Sequence, residues 1–239
     1  MSRPKFVHRC ARRCSTERLF PSALSAAPPS SVQPELVVDV SDGRLPLWSP
    51  GTTLHWRFDE RALARHDDPD AIRRKVRRLF REAVDAWSDA APVTFQESRI
   101  GWDFEIAVLR RPDCDGELCT LASAFFPLPV RQRLLVYPSM FDWGWDEQVS
   151  TMVHELGHVF GLRHFFADTD TDELDFPSHH FGSSTRFTIM NYGYESRLTE
   201  ADRRDLRRLY QAAWSGDPEA ILGKPVTLVR ASHAEKQRC

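Results

Sequence analysis

The sequence predicts an α+β chain in which a twisted, mixed five-stranded sheet packs against two long helices and a C-terminal helix. Three observations carry this reading. Two long stretches repeat their apolar residues at helical spacing, five short segments alternate or run apolar in strand fashion, and a capped third helix closes the series.

In chain order, Thr53–Phe58 comes first, alternating and rich in β-branched and aromatic residues, as a strand. Asp68 and Pro69 suit the N-cap and first position of a helix. Ile72, Val76, Leu79, Phe80, Ala83, Val84 and Trp87 then recur at intervals of three and four, and Pro92 is expected to close that helix. Val93–Glu97, Asp103–Leu109, Leu121–Phe126 and Arg133–Tyr137 read as further strands, the last two each ended by proline. A second helix is expected over Asp146–Phe160, burying Val149, Met152, Val153, Leu156, Val159 and Phe160, with Gly161 as its stop. From Phe165 to Thr188 no period is visible and the composition is that of a loop. Thr199 with Asp202 forms a capping pair for the third helix, in which Leu206, Leu209 and Tyr210 face inward.

Composition bounds the function. The 239 residues carry a net charge of -2 and a pI near 6.5, which argues against a general nucleic-acid binder. Mean hydropathy is -0.44, and no apolar run approaches the roughly 20 residues needed to span a bilayer. Charge is uneven: residues 1–34 hold six basic residues against Glu17 alone, so the body is net acidic. That arm is Arg-, Ser- and Pro-rich and lacks the apolar stretch of a secretory signal. We read residues 1–39 as a basic, disordered arm, with an organellar transit peptide as the alternative. Residues 40–214 are the folded domain and residues 215–239 a loose tail. Among five cysteines, Cys114 and Cys119 flank a short Asp-Gly turn and have a spacing that can close a small disulfide.

The chemistry lies in His154-Glu-Leu-Gly-His158-Val-Phe-Gly161-Leu-Arg-His164. Positions four apart share a helix face, so His154 and His158 can offer two imidazoles to one metal ion. Glu155 lies beside them in the place of a general base. Gly161 can take a positive φ and turn the chain back, bringing His164 to the same ion. Three neutral imidazoles with an open fourth position suit one catalytic Zn2+.

These residues resemble the metzincin zinc peptidases, whose motif is H-E-x-x-H-x-x-G-x-x-H followed by a Met-turn. Thr188-Ile-Met190-Asn-Tyr192 is the segment similar to that turn, with Met190 implied as an apolar floor under the histidines. Across about 46–213 the chain looks like a matrixin catalytic domain. The resemblance implies the zincin/metzincin fold and a zinc metalloendopeptidase, with peptide or protein substrate paired along the Leu121–Phe126 edge strand. It also implies action outside the cell, a route that the N-terminal residues do not display. A monomer is expected. The alternative function is a zinc-loaded peptide-binding protein of weak catalytic power, against which intact Glu155 weighs.

The departures are specific. The 109–121 stretch is short where matrixins carry a loop with structural zinc and calcium, so no second zinc is expected there. Tyr192 stands two positions after Met190 where matrixins have proline. A tyrosine there in astacin- and serralysin-like relatives ligates zinc and swings to the oxyanion, a role the resemblance extends to Tyr192. Cys10 and Cys14 lie outside any cysteine-switch segment of the matrixin type. In the loop after His164, Asp168, Asp170, Asp172, Glu173 and Asp175 alternate in a way that suggests Ca2+. However, Glu173 and His179 occupy the positions where an EF-hand needs glycine and glutamate, so a solvated acidic loop is the expectation. His179 and His180 are read as exposed loop residues.

Overall fold

The structure is a computed structural model describing residues 36–39, 43–115, 118–164, 178–182, 188–191, 196–216, 221 and 225–233. Its centre is a five-stranded sheet of β3 (Thr53–Phe58), β4 (Thr94–Glu97), β5 (Phe104–Val108), β8 (Ala122–Ser123) and β9 (Gln132–Val136). The spatial order is β4-β3-β5-β9-β8, with β3, β4, β5 and β9 mutually parallel and β8 antiparallel on the outer edge. The predicted mixed sheet is therefore present.

Alternation in β3 buries Leu54, Trp56 and Phe58. After the short helix α1 (Glu60–Leu63), helix α2 (Pro69–Trp87) starts as the sequence reads, with the Asp68 carboxylate accepting from the Ala71 N–H. It lays Phe80 against Trp56, Phe95 and Phe104 of three adjacent strands. Helix α3 (Trp145–Val159) packs on α2, where the Trp87 indole donates to the Val153 carbonyl at 3.0 Å. Helix α4 (Glu200–Ser215) opens on the expected Thr199–Asp202 capping box and buries Leu206, Leu209 and Tyr210.

Four expectations are corrected. Helix α2 ends at Trp87, where Ser88 takes φ 51° and a 3-10 turn over Ser88–Ala90 intervenes before Pro92. The edge strand is shorter than Leu121–Phe126: only Ala122 and Ser123 pair, opposite Val136 and Leu135. Residues 121–127 are all buried, which an alternating edge strand cannot achieve. Phe125 instead packs on Phe104 and Phe126 on His158. The region read as a loose tail supplies β12 (Val226–Val229), parallel to β2 (Leu45–Trp48). Finally, β1 (Leu36–Asp39) joins β10 (Leu162–Arg163) and β11 (Ser178–Phe181) in a second sheet, so the arm and the long loop each contribute a strand.

The Cys114–Cys119 disulfide is formed, closing the hairpin of β6 (Cys114–Asp115) and β7 (Leu118–Cys119). Thr120 donates through both its N–H and hydroxyl to Asp113, at 2.8 and 2.9 Å, so this hairpin leads directly into β8.

Candidate metal centre

Helix α3 is buried almost all round over its last two turns, polar side included: Thr151, His154, Glu155 and His158 are all interior. An amphipathic pattern alone would leave such a polar face in water. Here Met190 and its neighbours cover it. A Cβ on Gly157 would lie 2.3 Å from the Met190 sulfur, so this helix position must be glycine for the methionine to approach.

Past Val159 the chain turns sharply. Phe160 donates its N–H to the Leu156 and Gly157 carbonyls, and Gly161 takes φ +88°. The turn is crowded as well as left-handed, since a Cβ on Gly161 would sit 3.2 Å from Leu47 Cδ2. Strand β10 then pairs with β1, and His164 follows it, fully buried.

The turn brings the three histidines together. Their ring centroids are 4.9 Å (His154–His158), 4.8 Å (His158–His164) and 5.2 Å (His154–His164) apart. One ring nitrogen from each lies within 4.8 Å of the others, the only such cluster of His, Cys, Asp or Glu among the described residues. Nδ1 of His154 is 2.8 Å from the Ile189 carbonyl, and Nδ1 of His158 is 2.7 Å from the Leu162 carbonyl. A carbonyl can only accept, so each Nδ1 carries the proton and each Nε2 the lone pair. Backbone carbonyls thus set the tautomer that metal ligation requires. A buried donor set of three neutral imidazoles fits a zinc ion.

This arrangement rests on a network that sequence reading missed. Thr188, next to Ile189, donates its hydroxyl to Asp202 at 2.6 Å, and the Thr188 Oγ1 accepts from Met190 N–H at 3.2 Å. The other Asp202 oxygen accepts from the N–H and hydroxyl of Thr199. The cap of α4 is thereby tied to the turn that holds the His154 ring. Burial raises the Asp202 carboxyl above its usual range, against the lowering effect of these donors. At the other end of α3, the Trp48 indole donates to the Val159 carbonyl at 2.7 Å and the Tyr210 hydroxyl to the Phe160 carbonyl at 3.0 Å. The Thr199–Asp202 pair was visible as a cap; its second bond to Thr188 had no local signal.

A matrixin family model matches residues 48–211. The chain belongs to the matrixin family. Macrophage metalloelastase of Rattus norvegicus is 29% identical over 172 residues, covering 67% of this matrixin and 34% of the relative. Stromelysin-3 of Mus musculus is 31% identical over 152 residues, 58% of this chain and 28% of its own. This matrixin therefore spans about a third or less of the length of those relatives. The solved structure of myroilysin aligns at a TM-score of 0.46 and 15% identity, covering 73% of this chain and 98% of that one.

The match contains His154, Glu155, His158, His164 and Met190. Tyr192, the acidic residues 168–175, and Cys10, Cys14 and Cys239 lie outside the described residues. The backbone of His179 and His180 lies in β11, not in a loop. No helix among the described residues is long and apolar enough to cross a membrane.

Proposed function

We propose that this matrixin is a zinc-dependent endopeptidase whose metal is held by His154, His158 and His164 and whose general base is Glu155. The observation that carries the reading is the convergence of three buried imidazoles on one point, with Glu155 buried next to His154 in the sequence of α3. A zinc ion there would polarise the scissile carbonyl and lower the pKa of a water to roughly 7. Glu155, 3% exposed, takes the proton of the attacking water and hands it to the leaving amine. The substrate backbone pairs along Ala122–Ser123, the outer strand of the sheet, by strand addition. Phe126, edge-on to His158 at 5.6 Å, ties this edge to the metal centre. Tyr192 stabilises the oxyanion of the tetrahedral intermediate, as the resemblance to astacin-like relatives implies.

Hydrolysis of denatured casein tests the proposal. The purified chain with zinc should cleave it, a chelator should stop cleavage, and added zinc should restore it. His158→Ala should lose both zinc and activity. Cleavage that survives chelation, or an H158A protein that cleaves normally, would refute the assignment.

A further inference from the structure

Two loops that lead into β5 and β9 meet on a part of the surface that the peptidase reading does not use. One is 98–103, between β4 and β5; the other is 128–131, just before β9. Ile100 is 87% exposed and Val130 53%, the two most exposed large apolar side chains among the described residues. The loops meet at Trp102, with the Arg57 guanidinium 3.1 Å and that of Arg131 4.2 Å from its ring centroid.

Ile100 is held out in water by a pinned loop. Ser98 donates its N–H to the Trp56 carbonyl and its hydroxyl to the Ile100 carbonyl, both at 2.8 Å. Asp103 donates to the His55 carbonyl at 2.7 Å and accepts from the His233 N–H at 2.6 Å. Between these anchors Gly101 takes φ +70° with the His233 ring packed against it, which fixes the loop beside Ile100. Around this apolar point the charge is positive. Arg57 is paired with Glu105, whereas exposed Arg99 and Arg131 have no carboxylate within ion-pair distance among the described residues.

We propose that this pair of loops is a docking surface for anionic lipid membranes, with Ile100 and Val130 entering the interfacial layer and Arg99 and Arg131 on lipid headgroups. Each exposed aliphatic side chain stands next in sequence to an exposed arginine, Ile100 beside Arg99 and Val130 beside Arg131. That pairing suits a membrane interface, where aliphatic groups enter the acyl boundary while cations stay on the headgroups. Trp102, half-buried between two arginines, is of the residue type enriched at headgroup level. The complementary charge is that of acidic phospholipids.

The test is co-sedimentation of the full chain with vesicles of phosphatidylcholine alone or with 30% phosphatidylserine, at about 0.1 M salt where the screening length is about 10 Å. Wild type should partition onto the phosphatidylserine vesicles. I100S/V130S should weaken that partition at least tenfold, given the value of burying aliphatic side chains. R99Q/R131Q should weaken it about 25-fold, roughly fivefold per arginine. All four positions are exposed, so I100S/V130S should keep the wild-type melting curve, while R99Q/R131Q, which gives up the Arg131–Trp102 contact, should melt cooperatively within a few degrees of it; both verify folding. Equal binding by all three proteins would place the contact on the basic arm of residues 1–34 and overturn the proposal. So would failure of wild type to sediment, or binding to heparin that ignores I100S/V130S in the absence of vesicle binding.

Discussion

Replacing Gly157 with alanine puts one methyl group between the zinc-site helix and the methionine beneath it. The added Cβ would lie 2.3 Å from Met190 Sδ, 3.2 Å from its Cε and 3.7 Å from its Cγ. Ordinary contact needs about 3.5 Å or more, so the sulfur must retreat by roughly 1.2 Å. Met190 is 2% exposed, and its turn also carries the Ile189 carbonyl that orients His154. Overpacking of this kind costs about 1–3 kcal/mol, while alanine returns about 1 kcal/mol of helix propensity. The net expectation is a loss of about 0–2 kcal/mol, measured by urea unfolding of the zinc-free protein so that metal linkage does not mask it. Zinc affinity, read by competition with a chromogenic chelator, should fall alongside. In the G157A/M190A double variant the methyl finds space, so the two changes should couple favourably. A G157A protein about 1 kcal/mol more stable than wild type, with unchanged zinc affinity, would show that propensity dominates and that the methionine does not brace the site.

Tyr210→Phe removes the hydroxyl that donates to the Phe160 carbonyl and should cost about 1–3 kcal/mol in urea unfolding. Burial pushes that phenol far above its ordinary range, so its contribution should not vary between pH 6 and 10. D202A should destabilise by about 2–4 kcal/mol and weaken zinc binding, because it releases both Thr188 and Thr199. The Asp202 carboxyl is raised in the folded state, so its contribution to stability is greatest below the unfolded value of 3.8 and is lost as pH rises through the folded value. Wild type should therefore lose ground relative to D202N as pH is raised across that window, and the opposite trend in paired unfolding curves would contradict this. Tyr192→Phe should lower kcat roughly 10²-fold with zinc content unchanged, if the hydroxyl acts on the oxyanion.

His154, Glu155 and His158 were legible because a helix converts fixed spacing into a shared face, and Gly161 announced the turn to His164. The partners of the two Nδ1 atoms were not. They are the carbonyls of Leu162 and Ile189, and every residue type offers a carbonyl. The requirement for Gly157 was equally hidden, since it arises from Met190, 33 positions away. In the fold, α2, α3 and α4 were long enough for periodicity to speak. Strand β10 has two residues and β12 docks in parallel on a distant strand, so neither has a pattern of its own. The edge strand was overextended because the six residues Leu121–Phe126, a run of small and apolar side chains, were read as one strand. In fact Phe125 and Phe126 leave the ladder to pack on Phe104 and His158.

The central claim is a division of labour: three histidines hold the metal and the carboxylate between them moves the proton. Zinc content and casein cleavage of Glu155→Ala, prepared beside wild type, test it most directly. Both proteins should hold one zinc per chain, and wild type alone should cleave. A variant that loses its zinc would make Glu155 part of the metal's support, and one that cleaves as fast as wild type would remove it from the reaction.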